Sequence, residues 1–261
     1  MDAVNKTLYI PLYGKAWVSR RGLLLRDPDA ERIWDSAGIT LKGRAASKWL
    51  SYSMGIRSAV YDRWLEENLK LWPGAVVIHL GCGLDSRFRR VGARRGCFYD
   101  VDFPQVIQER KKFFREEADY RMLCADIREE GWLESIRAGG DALVVMEGVS
   151  MYLTDEERRR VLKNLAARFD RVKLLMDGYT VFGARASRLK NPVREVGVTR
   201  VYGFDDPGAQ SAGTGLSFDG ERDMNPPALI DRLPEKDRKI FRLLYTGRTA
   251  RSVYRLYEYS K

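Results

Sequence analysis

The sequence predicts an α/β protein built on a doubly wound, mostly parallel sheet of seven strands with a terminal antiparallel strand. Three observations predict it. Five short apolar runs alternate with helical patterns between residues 75 and 176, a glycine turn follows the first run, and two strand-like runs close the chain around a tight turn. Short buried strands alternating with helices are what a parallel sheet covered on both faces requires.

The elements follow in order. Residues 6–26 (KTLYIPLYGKAWVSRRGLLLR) show no sustained period, and Pro11 interrupts the first apolar run, so they read as an arm laid across the core. Asp27-Pro28 opens a helix, with Asp as its cap and Pro in an early helical position. From about residue 45 to 71, Trp49, Tyr52, Ile56, Val60 and Trp64 recur every three or four residues. That is a helix; it carries Arg57 and Asp62 and stops at Trp72-Pro73-Gly74. Strands are expected over 75–80, 97–101, 120–124, 141–146 and 172–176. Helical segments are expected over 84–93, 104–116, 129–136 and 154–169, the last with a capping box from Thr154 to Glu157.

Residues 181–226 change character: Gly203, Gly208, Gly213, Gly215 and Gly220 occur among few long apolar runs, which marks a substrate-cap insertion, either an ordered cap or a mobile lid. Residues 241–245 and 252–259 flank Thr246-Gly247-Arg248 as a hairpin, and a connection that short must be antiparallel. The expected organisation is a single domain over 1–261, with an arm and cap helices in 1–50.

Composition narrows the function. With 46 basic against 36 acidic residues the formal charge is +10, which favours anionic partners without specifying nucleic acid. Cys82, Cys97 and Cys124 are odd in number and without paired spacing, so they read as small hydrophobes rather than a disulfide framework. No apolar run reaches the roughly 18 residues of a membrane span, and the amino terminus lacks the form of a secretory signal. A soluble cytoplasmic protein with no membrane partner is expected. The one histidine, His79, reads as a satisfied strand-end residue, which argues against zinc sites of the Cys2His2 kind and against histidine-based hydrolysis.

The stretch Val76 to Asp102 carries the chemistry. An apolar run, Gly81-Cys82-Gly83, a helical segment and a second apolar run ending in acids make the half-unit that holds a nucleoside at the carboxyl ends of a parallel sheet. The glycines let the backbone approach the ligand, and the acid accepts bonds from ribose hydroxyls. Ser86 stands where a dinucleotide fingerprint has its third glycine, so a one-nucleoside cofactor is the better candidate.

KTLYIPLYGKA, the helix with Arg57 and Tyr61-Asp62, HLGCGLDSR, YDVDFPQVI, CADIRE and EGVSMYLTDEE together resemble the leucine carboxyl methyltransferases and the related bacterial polyketide O-methyltransferases. The likeness spans most of residues 6–180. It implies a Rossmann-like methyltransferase fold, S-adenosyl-L-methionine as cofactor and O-methyl transfer as the activity. It places Gly81 and Gly83 beside the methionine part of the cofactor and Asp102 on the ribose, with Asp100 as the alternate acid. Asp126 and Ile127 flank the adenine, Arg57 and Lys15 serve the cofactor carboxylate, and Glu147 approaches its amino and sulfonium end. His79 at the strand end and Ser86 in place of threonine depart from the family's LGxGLDTR pattern.

The same residues suit the cofactor chemically: a planar guanidinium and an ammonium for a carboxylate, an acid for an ammonium, an acid for a diol. A carboxylate placed as Glu147 is, in an apolar run, needs a partner. Asp85 and Arg87 read as structural residues at a helix start, where an acid favours the exposed amides. On the acceptor side Tyr152 and Tyr179 are the candidate catalytic residues, with Arg20, Arg21, Tyr202 and Phe204 as further candidates. The acceptor is expected to be a small molecule, an aromatic acid or a phenol. A carboxylate is preferred because it is ionised at neutral pH and needs no base. No metal is required, nucleic acid is disfavoured, and the oligomeric state is open. The alternatives are a protein C-terminal carboxyl methyltransferase and a non-catalytic cofactor-binding regulatory protein.

Overall fold

The computed structural model describes residues 8–92, 96–137, 140–190 and 201–261. Its strands are β1 (Val76–Leu80), β2 (Phe98–Asp102), β3 (Tyr120–Cys124), β4 (Asp141–Met146), β5 (Arg171–Tyr179), β6 (Ser217–Arg222) and β7 (Tyr254–Ser260). They form one seven-stranded sheet in the order β3-β2-β1-β4-β5-β7-β6. β1 to β5 pair in parallel, β7 runs antiparallel to β5, and β6 antiparallel to β7. The strand order reverses between β1 and β4, so the loops leaving these two strands diverge and open a crevice at their carboxyl ends.

The helices are α1 (Tyr9–Ser19), α2 (Pro28–Ser36), α3 (Lys48–Leu71), α4 (Arg87–Arg90), α5 (Pro104–Arg110) and α6 (Asp155–Arg168), followed by α7 (Val181–Lys190), α8 (Pro207–Ser211), α9 (Pro227–Ile230), α10 (Glu235–Tyr245) and α11 (Gly247–Arg251). Alternation along β1 divides the core between two faces. Val77 joins Tyr61, Trp64 and Leu65 of α3 on one side, and Ile78 and Leu80 join Val161, Leu162 and Leu165 of α6 on the other. Caps set where these helices start. The Asp27 carboxylate accepts the Ala30 N–H at 2.9 Å, the Ser47 hydroxyl accepts the Leu50 N–H at 3.3 Å, and the Thr154–Glu157 capping box is formed in both directions. Among the described residues no helix is long and apolar enough to cross a membrane.

The structure corrects the sequence reading in several places. Most of the amino-terminal arm is helix: Pro11 falls in the first turn of α1, where its missing N–H has no intrahelical acceptor to lose. A Cβ on Gly14 would come within 2.7 Å of Met54 Cβ, so the glycine is what lets α1 lie against α3. Residues 241–245 are not a strand but the end of α10, where Phe241 and Tyr245, four apart, stack with ring centroids 4.5 Å apart. The outer antiparallel partner of β7, on the side away from β5, is instead β6, drawn from the expected cap. Its sequence SFDGER hides the strand because the edge is largely exposed and its register shifts between Phe218 and Gly220. The helical segments expected over 84–93, 104–116 and 129–136 are shorter, the last being a single 3-10 turn at Trp132–Ser135. Residues 6–7 of the arm, residue 93 and residues 191–200 of the expected cap lie outside the described residues.

Candidate cofactor and acceptor site

The eight expected cofactor residues and the candidate catalytic Tyr152 and Tyr179 line one cavity of about 1540 Å³. Lys15 reaches it from α1 and Arg57 from α3. Gly81 and Gly83 follow β1, Asp102 ends β2, Asp126 and Ile127 follow β3, Glu147 and Tyr152 follow β4, and Tyr179 ends β5. The cavity therefore lies over the carboxyl ends of the parallel strands, where the strand order reverses.

The turn after β1 is shaped for close approach. Gly81 has φ +65°, and a Cβ there would stand 2.2 Å from Val149 Cγ2. The left-handed backbone and the lack of room both demand glycine. Asp102 braces this turn: its Oδ2 accepts the Gly83 N–H and its Oδ1 the Phe103 N–H, each at 2.8 Å. Burial pushes the Asp102 carboxyl up to about 6, against the pull of those two amides. Asp100 is fully buried and lies behind the cavity wall. It accepts the Tyr120 hydroxyl at 2.7 Å, pairs with Arg110 and meets His79 Nδ1 at 3.1 Å. Of the two acids, Asp102 alone faces the cavity. His79 is held at both ring nitrogens, with Arg87 Nη1 3.1 Å from Nε2, and burial followed by Arg87 lowers its pKa, so it is neutral.

Below the turn lies a buried ionic network. Glu147 accepts Arg57 Nε at 3.0 Å and pairs through its other oxygen with Arg87 Nη2. Arg87 also donates to Asp62 at 2.7 Å, and Arg90 bridges Asp62 at 2.7 Å and Asp85 at 2.8 Å. Lys15 Nζ sits 2.8 Å from Asp85. Burial alone would raise the Glu147 carboxyl, but Arg87, Arg57 and Lys15 bring it down to about 2. Burial alone would lower Arg57, but Glu147 and Asp177 hold it well above its ordinary value. Glu147 and Arg57 are thus both charged at neutral pH, side by side at the β1–β4 crevice.

At the far end the Asp126 carboxylate holds Arg128 through two nitrogens, Nε at 2.9 Å and Nη2 at 2.6 Å, and this bond lowers its pKa. Ile127, nearly buried, supplies an apolar wall beside it. At the opposite end, burial raises the Tyr152 phenol to about 12, and Tyr179 packs edge-on to Tyr254 at 4.8 Å.

Four acceptor-side expectations do not meet the cavity. Arg20 is paired outside it with Asp35, and Arg21 lies over the Trp17 ring at 3.8 Å. Phe204 packs on Tyr257 of the sheet at 4.9 Å, and the Tyr202 N–H is bonded to the Met151 carbonyl. Conversely, the reading of Asp85 and Arg87 as helix-start residues missed their place in the network, and it missed Asp177 and Tyr254 altogether. The available signal was the pairing of Ser58 and Asp62, four apart on a helix, with two arginines three apart after the glycine turn.

The lining fits S-adenosylmethionine in chemistry: cations and an acid stand together at the β1–β4 crevice, an acid ends β2, an apolar side chain follows β3, and the turn at Gly81 has no side chain. The fold and this cavity define a class I S-adenosylmethionine-dependent methyltransferase. Residues 12–166 match the family described as leucine carboxyl methyltransferase, and the chain belongs to that family. It is 30% identical over 243 residues to the tetracenomycin polyketide synthesis O-methyltransferase TcmP of Streptomyces glaucescens, covering 90% of this chain and 88% of that protein. Its fold is similar to magnesium protoporphyrin IX methyltransferase from Synechocystis PCC 6803 with bound SAH, with a TM-score of 0.53, 16% identity and coverage of 90% and 93% of the two chains. It is also similar to an S-adenosylmethionine-dependent methyltransferase from Mesorhizobium loti, with a TM-score of 0.55, 12% identity and coverage of 78% and 98%.

Proposed function

We propose that the chain is an O-methyltransferase that esterifies a carboxylate of a small-molecule acceptor with an apolar, ring-bearing body. One observation carries the choice of a carboxylate: the acid, the histidine and two of the tyrosines set around the β1–β4 crevice, Glu147, His79, Tyr152 and Tyr254, are each engaged or held protonated. Glu147 is spent on two guanidiniums, and His79 is held at both nitrogens. Burial raises the Tyr152 and Tyr254 phenols. An acceptor oxygen that is already anionic needs none of them, whereas a phenol with a pKa near 10 does.

When bound, S-adenosylmethionine supplies a methyl group on a sulfonium that leaves as a neutral thioether. The chain's own residues supply position. Arg57 and Lys15 attract the cofactor carboxylate, Glu147 the ammonium and Asp102 the ribose hydroxyls. Gly81 and Gly83 admit the ligand against the backbone, and Asp126 and Ile127 define the base pocket. Tyr152 and Tyr179 wall the place where the acceptor oxygen must stand. Fixing both reactants in line can contribute up to roughly 7–11 kcal/mol in favourable cases. The cavity of about 1540 Å³ exceeds the roughly 300–1,000 Å³ of a site for one drug-sized ligand, which leaves room for an acceptor beside the cofactor. The relative named for polyketide synthesis supports an oxygen acceptor on a scaffold of that kind.

The test is product chemistry. The protein is given methyl-labelled cofactor and a panel of aromatic carboxylic acids and phenols, and the labelled product is exposed to mild alkali. The proposal expects label released as methanol from an ester. Label retained as an alkali-stable ether would refute the carboxylate reading and leave the phenolic one.

A further inference from the structure

We propose that Asp177 is a positioning residue for the amino-acid end of the cofactor: it takes over Arg57 when a ligand carboxylate arrives and thereby releases Glu147 for the ligand ammonium. The inference rests on the reading that Arg57 and Glu147 hold that end. It starts from a conflict in the geometry. Glu147 is assigned to an ammonium, yet both its oxygens are already engaged, Oε1 by Arg57 Nε at 3.0 Å and Oε2 by Arg87. It can turn to a ligand only if Arg57 has somewhere else to go.

Asp177 provides that place. It lies near the carboxyl end of β5, fully buried, and its Oδ1 accepts the Gly148 N–H at 2.6 Å. Its Oδ2 is buried and accepts no hydrogen bond, while Arg57 Nη1 stands 3.4 Å away. A buried carboxylate oxygen without a donor is costly, and a small movement of the guanidinium supplies one. Arg57 is the only cation ion-paired with Asp177 among the described residues. The other groups facing it are neutral: the Tyr61 hydroxyl is spent on the Met146 carbonyl at 3.0 Å, and the Tyr254 hydroxyl, turned toward the Asp177 carboxyl, is a donor without charge. Arg57 Nη2 meets only the weak acceptor Met54 Sδ at 3.5 Å, and so remains for the incoming carboxylate. One guanidinium then holds Asp177 on one side and the ligand on the other, and Glu147 keeps Arg87 while freeing Oε1. Burial raises the Asp177 carboxyl, and Arg57, the Gly148 N–H and the Tyr254 hydroxyl oppose that shift.

S-adenosylhomocysteine is titrated calorimetrically into the wild-type protein and into the Asp177→Asn and Glu147→Gln variants. Asn keeps an acceptor for the Gly148 N–H, so thermal unfolding of Asp177→Asn is expected to match or exceed wild type. Its affinity is expected to fall about ten-fold or more, the loss of one charge-assisted partner. If Glu147→Gln weakens binding while Asp177→Asn binds as wild type does, the proposal is overturned. If Glu147→Gln binds as wild type does, the underlying assignment fails instead. Should Asp177→Asn not fold, the wild-type complex decides: Arg57 Nη1 closer to Asp177 than 3.4 Å and parted from Glu147 supports the exchange, and an unbroken Arg57–Glu147 bond overturns it.

Discussion

Asp102 makes cofactor affinity depend on pH in a way that can be worked out. Its carboxyl is nearly buried, and its pKa is raised from 3.8 to about 6, chiefly by burial. A shift of roughly two units corresponds to about 3 kcal/mol between the protonation states. Because the folded pKa lies above the unfolded one, this stabilisation is fully present below about pH 4 and is lost as pH rises through about 6. Relative to Asp102→Asn, the wild-type protein should therefore gain up to about 3 kcal/mol on going from neutral to acid pH. Binding runs the other way. Ribose hydroxyls donate best to the ionised acid, so affinity for S-adenosylhomocysteine should fall about ten-fold between pH 7 and pH 5, where roughly one carboxyl in ten remains ionised. Calorimetric titration across that range checks it, with Asp102→Asn expected to bind more weakly and with a flat profile. A flat wild-type profile, or an Asn variant with wild-type affinity, would refute the ribose role.

Gly81→Ala should destabilise the fold by about 2–5 kcal/mol, from left-handed backbone strain of roughly 1–2 and overpacking against Val149 of roughly 1–3. Thermal unfolding measures it, and an unchanged midpoint would contradict the turn geometry. Arg87→Met strips the buried partner from Glu147 and Asp62 and should cost about 3–5 kcal/mol in urea denaturation at neutral pH. Glu147 is held at about 2, below its unfolded value, so its share of the stability is present at neutral pH and is lost as pH falls toward 2. The gap between the two proteins should narrow in acid, and a gap independent of pH would exclude an electrostatic origin.

The parallel half of the fold was legible because each element carries its own signal: five apolar runs, a capping box at Thr154, a stop at Trp72-Pro73-Gly74. Eight of the ten site residues around the cavity sit in motifs tied to strand ends, and Lys15 and Arg57 reach it from helices α1 and α3. The carboxyl-terminal half was less legible. β6 carries one well-packed aromatic, Phe218, and an exposed edge, so its strand character comes from pairing with β7 rather than from its own pattern. Phe241 to Tyr245 holds apolar residues that suit either period in so short a window, and the helix is decided by the acids of its first turn and by the Phe241–Tyr245 stack. The ionic network was hidden for another reason. Arg87 and Arg90 read as surface charge in a basic sequence, and only the packing of α3 against the glycine turn buries them beside Asp62 and Asp85.

The most direct measurement is a crystal structure of the protein grown with S-adenosylhomocysteine. The account predicts the adenosine lying across the ends of β1, β2 and β3, with Asp102 on the ribose diol, Ile127 on the purine and the sulfur turned toward Tyr152 and Tyr179. A ligand bound elsewhere, or none at saturating concentration, would contradict it.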